Sequence, residues 1–196
     1  MEIMKVFKGL TMIVFLLSSC TSDVSINNRK ELHAYIDLHK AEFIKERKFE
    51  SFVIFSKFIP SELYLKRKDR AENQSLTFNF QLISPYQDFL KKYCESYDEY
   101  RKYKWYLTNE ATKFIYLEQK EKKIHPDLAQ LEEQYELSRG CSFNIVFDAN
   151  KIDLKEPITL VYNDELFGMG KLKFRYNTKL ITNLPIHTEN YNNALL

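Results

Sequence analysis

Residues 76–82 read LTFNFQL, and this stretch decides the fold. Apolar side chains alternate there with Thr, Asn and Gln, which is the period of a strand with one buried and one solvated face. The alternation returns in CSFNIVF at 141–147, ITLVY at 158–162 and LKFRY at 172–176. Gly168-Met169-Gly170 supplies turn conformations between the last two. The pattern therefore predicts hairpins in an antiparallel sheet.

Segments with apolar residues at helical spacing lie between these strands in the sequence. They predict a first helix from about 29 to 46. A second, long helix is expected to open at Ser84-Pro85, with Pro85 at its first position, and to reach Leu107. A third is expected from Pro126-Asp127, with Arg139 and Gly140 closing it.

Three weaker patterns complete the fold prediction. Residues 52–58 and 112–118 are predicted as strands and 63–65 as a short edge strand, while the polar, Asn-rich chain from Asn177 onward is expected to form a loose tail. Strands and helices do not alternate as βαβ units. We therefore predict an α+β fold, an antiparallel β-sheet or β-sandwich with helical insertions.

Composition excludes several classes of protein. The chain has 196 residues, of which 44% are hydrophobic and 29% charged, so it is long and apolar enough for a real core. Its formal net charge is only +2, and nothing in this balance calls for nucleic acid as a partner.

The N-terminus is predicted to be a secretory signal. Lys5 and Lys8 precede an apolar run over 9–17, which is shorter than the roughly 20 residues of a spanning helix. Ser18 and Ser19 follow the run as small residues. These features have the order and size of a signal peptide's n-region, h-region and cleavage site.

Leu17-Ser18-Ser19-Cys20 resembles the lipobox of bacterial lipoproteins, and the resemblance covers only the first twenty residues. It implies removal of residues 1–19, a diacylglycerol on the sulfur of Cys20 and acylation of the new amino group. Several buried acyl chains make such anchoring to membrane lipid stable. The alternative is an ordinary signal peptide followed by a core cysteine.

The resemblance also implies a cellular location. In enteric-type bacteria an Asp after the lipidated Cys retains a lipoprotein in the inner membrane, and Thr21 is not that signal. We therefore expect the cell envelope, with the outer membrane favoured over the inner. The predicted organisation is a signal over 1–19, a lipidated tether over 20–28 and one globular domain over 29–196.

Cys94 and Cys141 remain besides Cys20. Outside the cytosol disulfides form and persist, and both residues lie at or beside apolar faces, so they are candidates for a bridge. Two separate buried thiols are the alternative, because Cys also behaves as a small hydrophobe.

No catalytic or metal-binding motif emerges, and no cofactor is expected. The four histidines, His33, His39, His125 and His187, lack metal-ligand spacing. His39 is expected to be a partly buried structural residue and His125 to lie at a helix start. Asp148 to Asp153 lacks essential parts of a calcium loop, and like Asp164-Glu165 it is interpreted as a turn.

The most suggestive candidate contact residues are Tyr103, Trp105 and Tyr106. Tyr97 and Tyr100 fit the predicted core stripe of the long helix, whereas the three that follow cannot all face one way. Some of them must be exposed or lie past the helix end. They could serve partner recognition, or form an aromatic end to a core helix.

Two functions follow from these observations. The favoured one is a non-enzymatic binding or accessory module of the envelope, held by its lipid and contacting an envelope protein. The alternative is an envelope hydrolase that uses carboxylates brought together only by the fold. A pocket with two facing acids would favour the hydrolase, and a flat or aromatic surface would favour binding.

Overall fold

A computed structural model describes residues 25–64, 75–84, 89–132 and 140–186. Within these ranges nine strands form two antiparallel sheets. The strands are β1 Ile44–Lys48, β2 Val53–Ile59, β3 Ser75–Ile83, β4 Ile115–Gln119, β5 Lys122–Ile124, β6 Leu128–Leu131, β7 Gly140–Asp148, β8 Ile158–Asn163 and β9 Lys171–Tyr176.

Six α-helices accompany the strands in the same ranges, and all but two are a single turn or little more. They are α1 Arg29–Leu38, α2 Lys40–Phe43, α3 Phe89–Tyr93, α4 Tyr97–Asn109, α5 Ala111–Phe114 and α6 Thr178–Thr182. Short 3-10 turns cover Ser61–Leu63 and Ala149–Lys151. The predicted α+β class with antiparallel sheets is confirmed.

The larger sheet has the strand order β1-β2-β3-β7-β6, and the smaller has the order β5-β4-β8-β9. Their inner faces meet in an aromatic core. Phe80 of β3 lies 5.0 Å from Tyr162 and 5.8 Å from Phe174 between ring centroids, and Phe78 lies 5.2 Å from Tyr176. Aromatic rings prefer such tilted and edge-on contacts. The two sheets therefore pack as a sandwich.

The alternating patterns decide which face of each strand is buried. In β3 every second side chain, from Leu76 to Leu82, is buried, while the polar residues between them are half-buried on the outer face. In β9 the cations alternate with the inward Leu172, Phe174 and Tyr176. The strands predicted at 52–58, 76–82, 141–147, 158–162 and 172–176 are all confirmed.

The predicted first helix is too long. It ends at Leu38, α2 adds one turn, and Ile44–Lys48 is strand β1. Residues IKERK have good helix propensity, but they pair antiparallel with Val53–Lys57 of β2. Backbone pairing at the edge of a sheet overrides local propensity here.

The predicted long helix is broken into two. The predicted third helix is wrong within the described residues. Residues 94–96 are not helical and separate α3 from α4, while 85–88 lie outside the described residues. Leu128–Leu131 is strand β6, paired with Phe143–Val146 of β7. Gly140 is not a helix end but the first residue of β7, opposite Ile83. Residues 133–139 lie outside the described ranges.

Two smaller strand predictions need correction. Ser61–Leu63 is a 3-10 turn that leads into Tyr64, and residue 65 lies beyond the described range. The segment 112–118 begins as the helical turn α5 and becomes strand β4 only at Ile115.

The folded core takes in residues near both termini that were expected to be a tether or a loose tail. Ile26, inside the predicted tether, is 1% exposed, and its backbone forms a parallel bridge with Ile186. The predicted loose tail contains helix α6, whose Ile181 is buried in the core. One core cluster therefore runs from Ile26 to Ile181, and the two ends of the described chain lie side by side.

Candidate functional site

Helix α4 carries the residues singled out by the sequence, and its N-terminus is firmly capped. The side chain of Ser96 accepts a hydrogen bond from the backbone N–H of Glu99, and Glu99 Oε2 accepts one from the N–H of Glu95 at 2.8 Å. This arrangement resembles a capping box, which satisfies orphan N–H groups at a helix start. The cap explains why the helix begins anew at Tyr97.

The inner face of α4 consists of Tyr100, Tyr103, Tyr106 and the fully buried Leu107. Tyr103 meets the ring of Phe167 edge-on at 5.8 Å. Tyr106 stacks on Phe114 at 5.2 Å. This face holds the helix against the core.

The outer face of α4 presents Tyr97, Arg101 and Trp105 to solvent. Tyr97 is 74% exposed and Trp105 59% exposed, and the Arg101 guanidinium carbon lies 5.7 Å from the Tyr97 ring centroid. Arg101 also forms an exposed ion pair with Asp98 at 3.2 Å. Residues four apart are neighbours on a helix surface, so these three form one continuous stripe. We call it the 97–105 stripe.

The structure separates the three predicted contact residues. Trp105 lies in the 97–105 stripe, whereas Tyr103 and Tyr106 are half-buried against the core. The prediction that they could not share one face is confirmed. Tyr97, expected in the core, is exposed instead as the first residue of α4 after the break at 94–96, whereas Tyr100 of the same predicted stripe does pack against the core.

Asp164, the first of two adjacent acids after β8, is buried and fully engaged. Its oxygens accept the backbone N–H groups of Leu166, Phe167 and Met169 at 2.7–3.2 Å, together with the hydroxyl of Tyr162 at 3.2 Å. A carboxylate held this way orders a turn. Burial, and after it the charge of Asp164, raises the pKa of Tyr162 well above its usual range.

Glu165 is exposed and faces the helix instead. Its Oε2 accepts the hydroxyl of Tyr106 at 2.9 Å, and its Oε1 accepts the side-chain amide of Asn163 at 3.3 Å. Desolvation, and then Glu165, raises the pKa of Tyr106 to about 12. The two acids thus point to different partners, and do not face each other across a pocket.

Cys94 is half-buried after α3, and Cys141 is buried in β7. Neither thiol forms a disulfide in the described part of the chain. The bridge between them stays a prediction.

The other polar residues have structural surroundings. His39 is exposed rather than partly buried, with its ring 4.3 Å from that of Tyr35. His125 starts no helix but joins β5 to β6, with Nδ1 2.8 Å from the carbonyl oxygen of Thr112. Asp148 caps the turn at Ala149–Lys151, as a turn residue should. His187 lies outside the described residues.

No three His, Cys, Asp or Glu side chains lie close enough to hold a metal ion within the described ranges. None of the helices described there is long and apolar enough to cross a bilayer.

Comparison of the chain with family models, with curated proteins and with solved structures gives no match in any of the three.

Proposed function

We propose that the protein is a lipid-anchored cell-envelope lipoprotein that acts as a non-enzymatic binding module, with the 97–105 stripe as its contact surface. The observation that carries this proposal is the joint exposure of Tyr97, Arg101 and Trp105 on one helix face. Trp, Tyr and Arg are the residues most enriched at the energetic centres of protein interfaces. A protein of the envelope is the partner that the anchor would bring within reach.

The stripe is rigid in a way that favours binding. Ser96 fixes the helix start, and the packing of Tyr103, Tyr106 and Leu107 fixes its rotation. A side chain presented from a fixed helix loses less conformational freedom when a partner docks than one presented from a loop. The stripe is therefore preorganised.

The hydrolase alternative has less support. It needs two acids that face a common space, with one of them available to a substrate. Both carboxylate oxygens of Asp164 accept hydrogen bonds, from backbone N–H groups and from Tyr162. Glu165 accepts hydrogen bonds from Tyr106 and Asn163. These bonds are typical of a structural turn.

The anchor part of the proposal is supported by Leu17-Ser18-Ser19-Cys20. Ile26 is already part of the core, so the chain between Cys20 and Ile26 can span at most about 20 Å. The domain would work close to the bilayer, with the outer membrane favoured over the inner by Thr21.

The contact surface is tested with Trp105→Ala in the native, lipidated protein. We expect the melting temperature to stay close to that of the unsubstituted chain, because Trp105 is mostly exposed. Recovery of associated envelope proteins should fall, by about thirtyfold in affinity if Trp105 is a hot spot. Leu38→Ala is the matched control, because Leu38 is 78% exposed on a different helix.

Two outcomes of that experiment would contradict the proposal. A large fall in melting temperature would make Trp105 a core residue, since a buried Trp→Ala costs about 3–5 kcal/mol. Unchanged partners at unchanged stability would make the stripe an ordinary surface.

The anchor is tested separately with Cys20→Ala. The precursor should remain uncut and take up no labelled fatty acid, because the acceptor sulfur is gone. Continued incorporation of the label into this variant would end the lipoprotein proposal but leave the stripe untouched.

A further inference from the structure

A cationic groove lies where the edge strands of the two sheets meet. Lys45 and Arg47 of β1 face Lys173 and Arg175 of β9 across a cavity of about 270 Å³, and Glu46 is the one carboxylate among its described lining residues. β1 ends the larger sheet and β9 ends the smaller. The groove is open to solvent along both strands.

The cationic surface continues over the outer face of the smaller sheet. Lys171, Lys173 and Arg175 project there from β9, and Lys123 projects from β5, with its ammonium 3.9 Å from the centroid of the Tyr116 ring. Tyr116 and Val161 are buried on this face, outside the main core cluster.

Glu118 is the only acid described on the strands of this outer face, and it is occupied. It binds Lys171 at 2.9 Å and Lys173 at 2.6 Å, and these lysines hold the pKa of its carboxyl below the usual range.

Two arginines supply charge that no described acid neutralises. Arg47 and Arg175 are exposed, and neither forms an ion pair within the described part of the chain. An excess of cations over acids in one continuous surface, on a chain whose net charge is only +2, marks a separation of charge. A surface of this kind attracts a polyanionic partner.

The groove shares one end of the molecule with the start of the folded chain. The backbone N–H of Ile26 donates to the carbonyl oxygen of Pro185, shortly after α6, which packs against α2. Helix α2 runs directly into β1, and α6 follows directly from β9. The folded chain therefore starts at the end of the sandwich where β1 begins and β9 ends.

We propose that this surface, made of Lys45, Arg47, Lys123, Lys171, Lys173 and Arg175, docks on an anionic phospholipid bilayer. The groove is shallow and spread over two strand edges, which suits an array of headgroups rather than one enclosed anion. The short tether, which rests on the proposed anchor, would keep the surface within reach of the bilayer. Docking would fix the orientation of the domain on the membrane. The 97–105 stripe lies on a different element, helix α4, and is not part of the docking surface.

The test uses the full lipidated chain in vesicles of phosphatidylcholine alone or of phosphatidylcholine with an equal part of phosphatidylglycerol. A water-soluble amine reagent modifies exposed lysines, and the rate at each site is read by peptide mass. We expect Lys123, Lys171 and Lys173 to react at least fivefold more slowly on the anionic vesicles, while Lys102 and Lys104 of α4 react equally on both. Raising the salt from about 0.1 M to about 1 M should remove the difference, because the Debye length falls from about 10 Å to about 3 Å.

A charge-reversal pair provides the matched variants. Arg47→Glu with Arg175→Glu breaks no described ion pair and should abolish the protection, because each cation near an anionic surface contributes about fivefold to binding. Lys102→Glu with Lys104→Glu changes the net charge equally and should leave the protection intact. Equal reaction rates on both vesicles, or protection that survives Arg47→Glu with Arg175→Glu, would overturn the proposal.

Failure of the anchor is distinguishable from failure of the docking surface. Flotation with pure phosphatidylcholine vesicles reports the anchor alone. A protein without its lipid would not float with these vesicles but would still float with the anionic ones at low salt if the cationic surface binds.

Discussion

At the scale of single residues, Asp164 is a buried acid whose carboxylate has a structural role. Its carboxylate accepts hydrogen bonds from three backbone N–H groups of the turn that follows β8. This turn places Phe167 against α3 and α4. The Phe167 ring lies 4.8 Å from Phe89 and 5.0 Å from Tyr93. One buried carboxylate therefore connects the smaller sheet to the helix that carries the 97–105 stripe.

Replacing Asp164 with Ala should destabilise the protein by about 3 kcal/mol, because the buried hydroxyl of Tyr162 and three partly buried backbone N–H groups lose their acceptor at once. Urea unfolding followed by circular dichroism measures the loss. Glu165→Ala is the neighbouring control and should cost less than 1 kcal/mol, since Glu165 is exposed. A stable Asp164→Ala protein would mean that these hydrogen bonds do not hold the turn.

Ionisation of Tyr106 should make the free energy of unfolding fall at alkaline pH. Its pKa is raised to about 12 in the folded protein, against about 10 for an unfolded Tyr. A group whose pKa is raised by folding stabilises fully below the unfolded value, and this contribution is lost as the pH rises from about 10 to about 12. Tyr106→Phe should therefore show a shallower fall of the urea midpoint over that range.

Glu165→Gln should give part of the same change, because it removes the charge of Glu165, which raises the pKa of Tyr106 after desolvation and the hydrogen bond to Glu165. Coincident pH curves for Tyr106→Phe and the unsubstituted protein would show that the Tyr106 hydroxyl does not lie in the surroundings described.

At the scale of elements, period-two alternation was the reliable signal. The strands around Phe80, Phe143, Leu160 and Phe174 were predictable because each buries one face against the opposite sheet, which forces alternate apolar residues. Two of the edge strands, β1 and β6, escape that constraint, although β9, which is also an edge strand, does not. The charged β1 and the short β6 looked helical, and only their pairing with β2 and β7 makes them strands.

The candidate site was predictable in part. The exposure of one residue among Tyr103, Trp105 and Tyr106 followed from helical geometry alone, but Tyr97 and Arg101 were missed. The signal that could have found them is Ser96 followed by Glu99, a helix-start pattern inside a stretch that otherwise looks continuously helical. The cationic groove could not be predicted, because β1 and β9 are distant in sequence.

The break in the helix predicts the sign of one substitution. Ser96→Ala should destabilise the protein by about 1 kcal/mol, because the N-cap hydrogen bond to Glu99 is lost. In an unbroken helix the same change would stabilise, since Ala is the better helix former. Chemical unfolding of Ser96→Ala beside Lys102→Ala, an exposed position within α4, measures the difference. A stabilised Ser96→Ala protein would rule out the break.

At the scale of the whole molecule, two sheets share one core, and a polar contact inside that core joins them. The hydroxyl of Tyr176 on β9 donates to the carbonyl oxygen of Ser56 on β2 at 2.7 Å, and it lies 2.6 Å from the Ser56 hydroxyl. Both residues are fully buried. Buried polar groups need such partners, so this contact fixes how the sheets align as well as how strongly they adhere.

The sandwich therefore predicts energetic coupling between sheets. Tyr176→Phe keeps the ring against Phe78 but leaves buried oxygens of Ser56 without their donor, so it should cost about 1–3 kcal/mol. Ser56→Ala should cost a similar amount, and the double variant should cost less than the sum by about 1 kcal/mol. Urea unfolding of the four proteins in this cycle gives the coupling.

Tyr64 and Thr77 provide the matched control, because their hydroxyl groups lie 2.7 Å apart in an exposed position. Water replaces the partner of either group there, so the cycle of Tyr64→Phe with Thr77→Ala should give coupling near zero. If the cycle of Tyr176→Phe with Ser56→Ala also gave coupling near zero, the two sheets would not be packed in the alignment described.

Coupling confined to the buried pair would instead show that β9, which lines the cationic groove, is held to the larger sheet on which β1 lies. The docking surface would then be a property of the assembled sandwich, and its membrane protection should disappear with global unfolding and not before.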